Sequence, residues 1–194
     1  MRAEPISETP TDDLVRAARG GDEGAWRELV DRLTPRVFAF VRSKVGAAEL
    51  AEELTQTTFV KVARQFARTD SAGYEERGVF EAWLFRIAIN SVRDEARSRK
   101  RRAEVPAEAA SPEATADRLR PDAALAAMRE AIASLGPADR EMIDLRHQGG
   151  LSFTQIAATL GKPLGTVLAR HHRALKKLRA ALEARGIDAG ELAG

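Results

Sequence analysis

The apolar residues of this chain recur at the spacing of an α-helix on both sides of one proline-bearing stretch, residues 103–122. That stretch is rich in alanine and glutamate and contains Pro106, Pro112 and Pro121, and prolines this close together prevent a continuous helix. No segment shows sustained alternation of apolar and polar residues, which is the pattern of a half-buried strand. The sequence therefore predicts an all-α fold, with two small helical domains joined by residues 103–122 as a flexible linker.

The predicted domain boundaries follow this punctuation. Residues 1–10 contain two prolines and no periodic apolar pattern, so we expect a flexible tail there. The first helical domain is expected at 11–102, the linker at 103–122 and the second domain at 123–186, with a short tail at 187–194.

Each domain is expected to contain four helices. Thr11 or Asp12 is expected to cap the first helix, and Asp22 the second, which should end near Pro35 with helical spacing continuing beyond it. The other two helices of this domain are predicted at 47–67 and 79–102, around a loop at 70–78. The helices of the second domain are predicted at 123–134, 138–147, 152–160 and 164–184.

Charge is distributed unevenly along the chain. The net charge is only +2, yet segments 86–102 and 170–185 each carry +5, and 103–122 between them carries −3. Two basic segments indicate two contacts with a polyanion such as DNA. Two solvated helix faces would give the same charge pattern, so charge alone leaves both interpretations open.

Several classes of site are excluded by residue content. The chain has no cysteine, so disulfides and thiolate zinc sites are impossible. No histidine lies in residues 1–146, and His171 and His172 point about 100° apart on a helix and cannot chelate one ion together. We therefore expect no metal or cofactor. The chain lacks an apolar stretch of membrane-spanning length and the apolar core of a signal peptide, so we expect a soluble cytoplasmic protein.

The segment from Ser152 to Leu182 carries a helix-turn-helix pattern. Ser152 can cap a short helix with Ile156, Ala157 and Leu160 on its core face, and Gly161 suits a tight turn with positive φ. The next helix is expected to turn Leu164, Val167, Leu178 and Leu182 inward, with His171 and Leu175 near the same stripe. Basic residues fall on its other faces, as suits a helix in the major groove of DNA. An ordinary helical hairpin with a solvated basic face is the alternative.

The helix predicted at 79–102 has two distinct faces. Its expected core stripe is Phe80, Trp83, Leu84, Ile87 and Ser91. Arg86, Asn90, Arg93 and Arg97 share a second face beside it. Asparagine is unfavourable in the middle of a helix, so the presence of Asn90 needs a reason. Its side chain could hydrogen-bond to a base edge, or it could make a hydrogen bond in helix packing.

Three strings of the sequence resemble the extracytoplasmic-function (ECF) group of bacterial sigma factors. They are AEELTQTTFVKVARQF at 51–66, FEAWLFRIAINSVRDEARSRKRR at 80–102, and LGPADREMIDLRHQGGLSFTQIAATLGKPLGTVLARHHRALKKLR at 135–179. They occur in the family's order and spacing. The resemblance implies a subunit that binds RNA polymerase core, selects promoters, melts DNA and starts transcription, and is not an enzyme.

The resemblance also implies roles for individual residues. The residues matching the polymerase-binding string are Glu52, Glu53, Leu54, Gln56 and Phe59. Those matching the reader of the minus-ten strand are Arg86, Asn90, Arg93 and Arg97, with the loop at 67–79 capturing a flipped base. The groove-facing positions for the minus-thirty-five element are Thr166, Ala169, Arg170, His172, Arg173 and Lys176. The implied partners are the clamp of the largest polymerase subunit, the flap of the second, promoter DNA and an anti-sigma factor.

Three residues depart from the family's pattern. Gln155 stands where a glutamate is usual, Leu168 where a basic residue is common, and His171 where an aliphatic residue is usual. They affect the expected contacts with the upstream element. A free-standing helix-turn-helix repressor or activator is the competing function, and such proteins usually dimerise to read paired half-sites. An enzyme is the third hypothesis, for which we find no nucleophile–base pair, phosphate loop or metal cluster.

Overall fold

The computed structural model describes residues 9–67, 80–104 and 123–185, which form eight α-helices and contain no strand. The chain divides into two compact units, Met1–Ala107 (unit 1) and Glu108–Gly194 (unit 2). The predicted all-α fold of two small helical units is confirmed. The predicted tails, the loop and most of the predicted linker lie outside the described residues.

Unit 1 is built around its second helix. Its elements are α1 (Thr11–Arg19), α2 (Glu23–Val45), α3 (Ala48–Phe66) and α4 (Phe80–Glu104), and α2 packs against the other three. The largest fully buried side chains include Leu29, Leu33, Phe40, Leu84 and Phe85. Burying such side chains stabilises the fold by about 1.5–3 kcal/mol each, which makes this the core that positions α3 and α4.

The first two helices begin in different ways. The predicted cap at Thr11 or Asp12 is wrong, because Pro10 occupies the N-cap position without a side-chain cap. The extended backbone of Pro10 instead directs its carbonyl toward the amides of the first turn. Asp22 caps α2 as predicted, its carboxylate accepting from the amide of Ala25 at 3.0 Å.

Helix α2 does not end near Pro35, contrary to the prediction. It runs from Glu23 to Val45 as one helix, with Pro35 inside it and exposed. An interior proline costs about 3 kcal/mol. On the two sides of Pro35, Leu33, Val37 and Phe40 are completely buried. Burying each of these side chains stabilises the fold by about 1.5–3 kcal/mol, and together they outweigh the cost of the proline.

Helix α4 is buried over a wider arc than its predicted stripe. Phe80, Leu84 and Ser91 are buried as expected, but Trp83 and Ile87 are only half-buried. The buried residues missed by the prediction are Ala82, Phe85, Ala88 and Ile89. The difference arises because α4 contacts α1, α2 and α3 together, whereas a single stripe describes a helix packed on one neighbour.

Unit 2 consists of α5 (Ala123–Ser134), α6 (Pro137–His147), α7 (Phe153–Leu160) and α8 (Leu164–Glu183), with α8 packed against the other three. Ser152 caps α7 as predicted: its hydroxyl accepts from the Gln155 amide at 3.1 Å, and the Gln155 side chain accepts from the Ser152 amide at 2.8 Å. The glutamine thus completes a capping box in place of the usual glutamate.

The turn of the helix-turn-helix has the predicted conformation. Gly161 ends α7 with φ of 61° in the left-handed region, which other residues adopt only at a cost. Its amide donates to the carbonyl of Ala157. Glycine therefore allows α8 to start immediately after α7.

Helix α8 is rotated from its predicted orientation. Val167 and Leu182 are buried as expected, but Leu164 and Leu175 are 43% and 40% exposed, and Leu178 is half-buried. Ala174, which was not predicted as core, is completely buried. Its small side chain lets the neighbouring helices approach closely, so the buried arc is centred on Val167 and Ala174.

Candidate functional site

The predicted minus-ten residues lie together on the outer face of α4. These exposed residues are Arg86, Asn90, Arg93 and Arg97. At about 100° per residue they fall on the side of the helix opposite its buried residues. The fold therefore presents three guanidinium groups and one amide to solvent in a single row.

Asn90 borders an open groove of about 410 Å³ between α3 and α4. Lys61, Arg64 and Gln65 of α3 line the opposite wall, and Ile87 and Asp94 line the α4 side. The Lys61 ammonium donates to the hydroxyl of buried Ser91 at 2.9 Å, which places this cation one residue along from Asn90. Lys61 and Arg64 were not among the predicted site residues, although two cations one turn apart near the end of α3 were a visible signal.

The basic end of α4 is balanced by carboxylates on the same helix. Arg97 pairs with Asp94 at 3.2 Å, and Arg99 and Arg102 both contact Glu95 at 2.9 Å. The side chains of Arg97 and Asp94 are 70% and 59% exposed. Pairs this exposed contribute about 0–1 kcal/mol, so the arginines can exchange them for phosphate contacts at small cost.

The residues predicted to bind polymerase separate into two groups on α3. The exposed members are Glu52, Glu53 and Gln56. Leu54 and Phe59 are only 7% and 8% exposed, and Phe59 packs edge-to-face on Trp26 at 6.5 Å. These two side chains hold α3 in place from behind. Val60, which was not among the predicted residues, is 48% exposed and lies about one turn beyond Gln56.

The predicted minus-thirty-five residues lie mainly on the free side of α8. Those that are exposed are Thr166, Ala169, His172, Arg173 and Lys176. Arg170 is half-buried at the edge of this face. Lys177, at the edge of this face, pairs with Asp139 of α6 at 2.9 Å. Leu168, one of the departures from the family pattern, is 44% exposed beside the basic residues.

His171 is half-buried behind this face, as predicted. Its ring stacks on His147 of α6, with centroids 6.1 Å apart, and meets Phe153 of α7 edge-on at 4.8 Å. Burial lowers the pKa of His171 below its usual value, and the neighbouring His147, Arg146 and His172 lower it further. The ring is therefore held neutral at the junction of three helices.

Within residues 9–67, 80–104 and 123–185 no three side chains come together as ligands for a metal ion. Among those same residues, no helix combines the length and the apolar character needed to cross a membrane.

Family models match both units of the chain. Sigma-70 region 2 matches residues 29–102, and Sigma-70 region 4 matches residues 131–180. The first match covers α3 and all but the last two residues of α4, and the second covers α7 and most of α8. Both predicted DNA-reading surfaces thus fall inside matched segments.

Similar proteins carry the same assignment. The ECF RNA polymerase sigma factor SigE of Mycolicibacterium smegmatis is 38% identical over 186 residues, covering 89% of this chain and 68% of SigE. The structure of CnrH in complex with the cytosolic domain of CnrY has a TM-score of 0.66 and 27% identity, covering 90% of this chain and 97% of that one. RpoE in complex with the anti-sigma factor NepR from Bartonella quintana has a TM-score of 0.58 and 26% identity, covering 81% and 96%. The chain therefore belongs to the ECF RNA polymerase sigma factors, the subunits that direct promoter recognition and transcription initiation.

Proposed function

We propose that this sigma factor divides its work between its units, with 11–102 binding polymerase core and the minus-ten element and 123–186 binding the minus-thirty-five element. Residues 103–122 act as the linker. The observation that carries this proposal is the exposed row of Arg86, Asn90, Arg93 and Arg97 on the side of α4 opposite the core.

In unit 1, α4 reads the non-template strand after the duplex opens. Unpaired bases expose edges that an amide can recognise, and arginines track the phosphates between them. The groove between α3 and α4 adds Lys61 and Arg64 beside Asn90. Its volume of about 410 Å³ is within the range of small-ligand sites, about 300–1,000 Å³, so it can receive part of one nucleotide.

In unit 2, α8 enters the major groove upstream. Arg173 is exposed on the face away from buried Val167 and Ala174, and its planar guanidinium can donate two hydrogen bonds to one guanine. Ala169 is small and exposed on the same face, which lets the helix backbone approach the bases. His172 and Lys176 flank these residues and contact bases or phosphates.

Polymerase core binds α3 of unit 1 through its largest-subunit clamp, and the flap of the second subunit contacts unit 2. Glu52, Glu53 and Gln56 supply polar contacts on α3. Val60 adds an apolar side chain in the same area, and well-packed apolar contacts surrounded by polar ones dominate binding energy at interfaces.

The protein acts by binding, without chemistry of its own, and it works in the cytoplasm, where polymerase and promoter DNA meet. An anti-sigma factor is a further partner. RpoE bound to NepR and CnrH bound to the cytosolic domain of CnrY support this assignment by likeness.

The test is transcription in vitro on genomic DNA of the source organism, with core enzyme alone and with core plus this protein. Mapped RNA 5′ ends should include a set that requires the protein and shares two upstream sequence elements. The matched variant carries alanine at Arg86, Asn90, Arg93 and Arg97 and should lose that set. An identical pattern of 5′ ends with and without the protein would disprove the proposed function.

A further inference from the structure

Every histidine of the chain lies in unit 2: His147, His171 and His172. Histidine is the side chain whose ordinary pKa lies in the range between pH 5 and pH 8. Any effect of histidine protonation is therefore confined to unit 2.

Two of these histidines form a stacked pair between α6 and the helix-turn-helix. The ring planes of His147 and His171 are inclined by 20°, with centroids 6.1 Å apart. Phe153 of α7 meets the His171 ring edge-on, with centroids 4.8 Å apart. The pair therefore joins α6, α7 and α8, the helices that set the orientation of the reading helix.

The inner nitrogen of His171 has no acceptor for an additional proton. Its Nε2 atom is buried, and the described part of the chain supplies it with no hydrogen-bond partner. A proton added there would create a buried cation without a partner, which is unfavourable. The neutral ring avoids this buried charge and leaves only one polar atom without a partner.

The charged surroundings of the pair are mainly positive. Arg146 lies on α6 next to His147, with its guanidinium 5.0 Å from the centre of the Phe153 ring. His172 follows on α8, and the nearby carboxylate is Asp144 of α6. Helix α7 carries no titratable side chain. The remaining charged residues of α5, α6 and the middle of α8 are Arg129, Glu130, Asp139, Arg140, Glu141, Arg170 and Arg173.

We propose that the His147–His171 pair makes unit 2 an acid-sensitive module, in which protonation in mild acid loosens α8 from α6 and α7 while unit 1 keeps its packing. As the pH falls, recognition of the minus-thirty-five element should be lost before binding to polymerase. This consequence for promoters rests on the proposed function. The loosening itself does not depend on it.

The direction of the effect follows from linkage. Burial lowers the pKa of both histidines in the folded state; Arg146 lowers the pKa of His147 further, and Asp144 raises it in part. The unfolded state then binds protons more readily than the folded state. The stabilisation is complete above about pH 6.5, the ordinary histidine pKa, and is lost as the pH falls from there toward the lowered values.

The test is amide hydrogen exchange on the full chain without DNA, at about pH 7.5 and about pH 5.5, corrected for the intrinsic exchange rate. The protection of amides in 137–183 should fall several-fold at the lower pH. Each histidine that stays neutral in the folded state can reduce this protection by at most about tenfold. Protection of 23–66 should not change. Equal loss in both segments, or no loss in 137–183, would overturn the proposal.

Variants assign the effect to the pair. His171→Leu places an aliphatic side chain where the family usually has one, and it should remove most of the pH dependence of exchange. His147→Gln, on a different helix, should reduce it independently if the leucine variant folds poorly. His172→Gln is the matched control, since His172 lies outside the stacked pair, and it should retain the dependence. A pH dependence that survives both His171→Leu and His147→Gln would also overturn the proposal.

Discussion

Replacing Gly161 with alanine should destabilise unit 2 through the backbone alone. Gly161 has φ of 61°, and a Cβ atom built on it meets nothing within 4 Å. The new methyl group therefore causes no clash with neighbouring side chains. The cost is that of holding an alanine in the left-handed region, about 1–2 kcal/mol.

Gly165 provides a control of opposite sign four residues away. It lies in the first turn of α8 with ordinary helical geometry, and its Cβ would also meet nothing within 4 Å. Alanine in a helix is favoured over glycine by about 0.5–1 kcal/mol. Gly165→Ala should therefore stabilise unit 2 although the chemical change is identical.

Thermal unfolding distinguishes the two variants. Both tryptophans, Trp26 and Trp83, lie in unit 1, so their fluorescence follows unit 1 while far-UV circular dichroism follows all helices. At about 4–8 °C per kcal/mol for a small domain, Gly161→Ala should lower the transition of unit 2 and Gly165→Ala should raise it. The fluorescence transition should stay in place. Shifts of the same sign in both variants would refute the left-handed turn.

Three substitutions test the proposed surfaces. Glu53→Lys should weaken binding to polymerase core in a titration, because it reverses an exposed charge on α3, while Asp12→Lys on α1 should not; equal affinities would remove α3 from the interface. Asn90→Ala should leave the closed complex intact and reduce permanganate-reactive thymines, and a normal yield of open complex would make Asn90 structural only. Arg173→Ala should weaken binding by about 1–3 kcal/mol on the correct promoter and by little on a scrambled one. The control is Lys177→Ala, since Lys177 pairs with α6, and it should change binding to the two sequences equally. An equal loss on both sequences for Arg173→Ala would make that residue a phosphate contact.

The parts of the fold that could be predicted are those decided by local chemistry. Asp22, Ser152 and Gly161 each act within one helical turn, and the structure confirms all three. The exposed row on α4 was also predictable, because charged side chains that share a helix face rarely point into a core.

The errors concern packing between distant segments. Ala82, Phe85, Ala88 and Ile89 are buried because α4 contacts three helices, and no local pattern states how many neighbours a helix has. Leu164 and Leu175 are exposed for a similar reason, since small Ala174 takes the buried position. Pro35 stays inside α2 because buried side chains on both sides of it outweigh the local penalty. Lys61 and Arg64 were missed because the groove exists only once α3 packs on α4.

The most direct test of the sigma assignment is a footprint on a promoter located by the transcription assay, with the protein alone, core alone and both together. The sequence predicts a flexible linker at 103–122, so we expect the free protein to need an ordering cost for binding both elements at once, which polymerase would remove. We predict that the protein is a monomer. Without core it should protect neither promoter element, and together with core it should protect both. Protection of a palindromic site by a stable dimer without polymerase would contradict the account and favour a helix-turn-helix repressor.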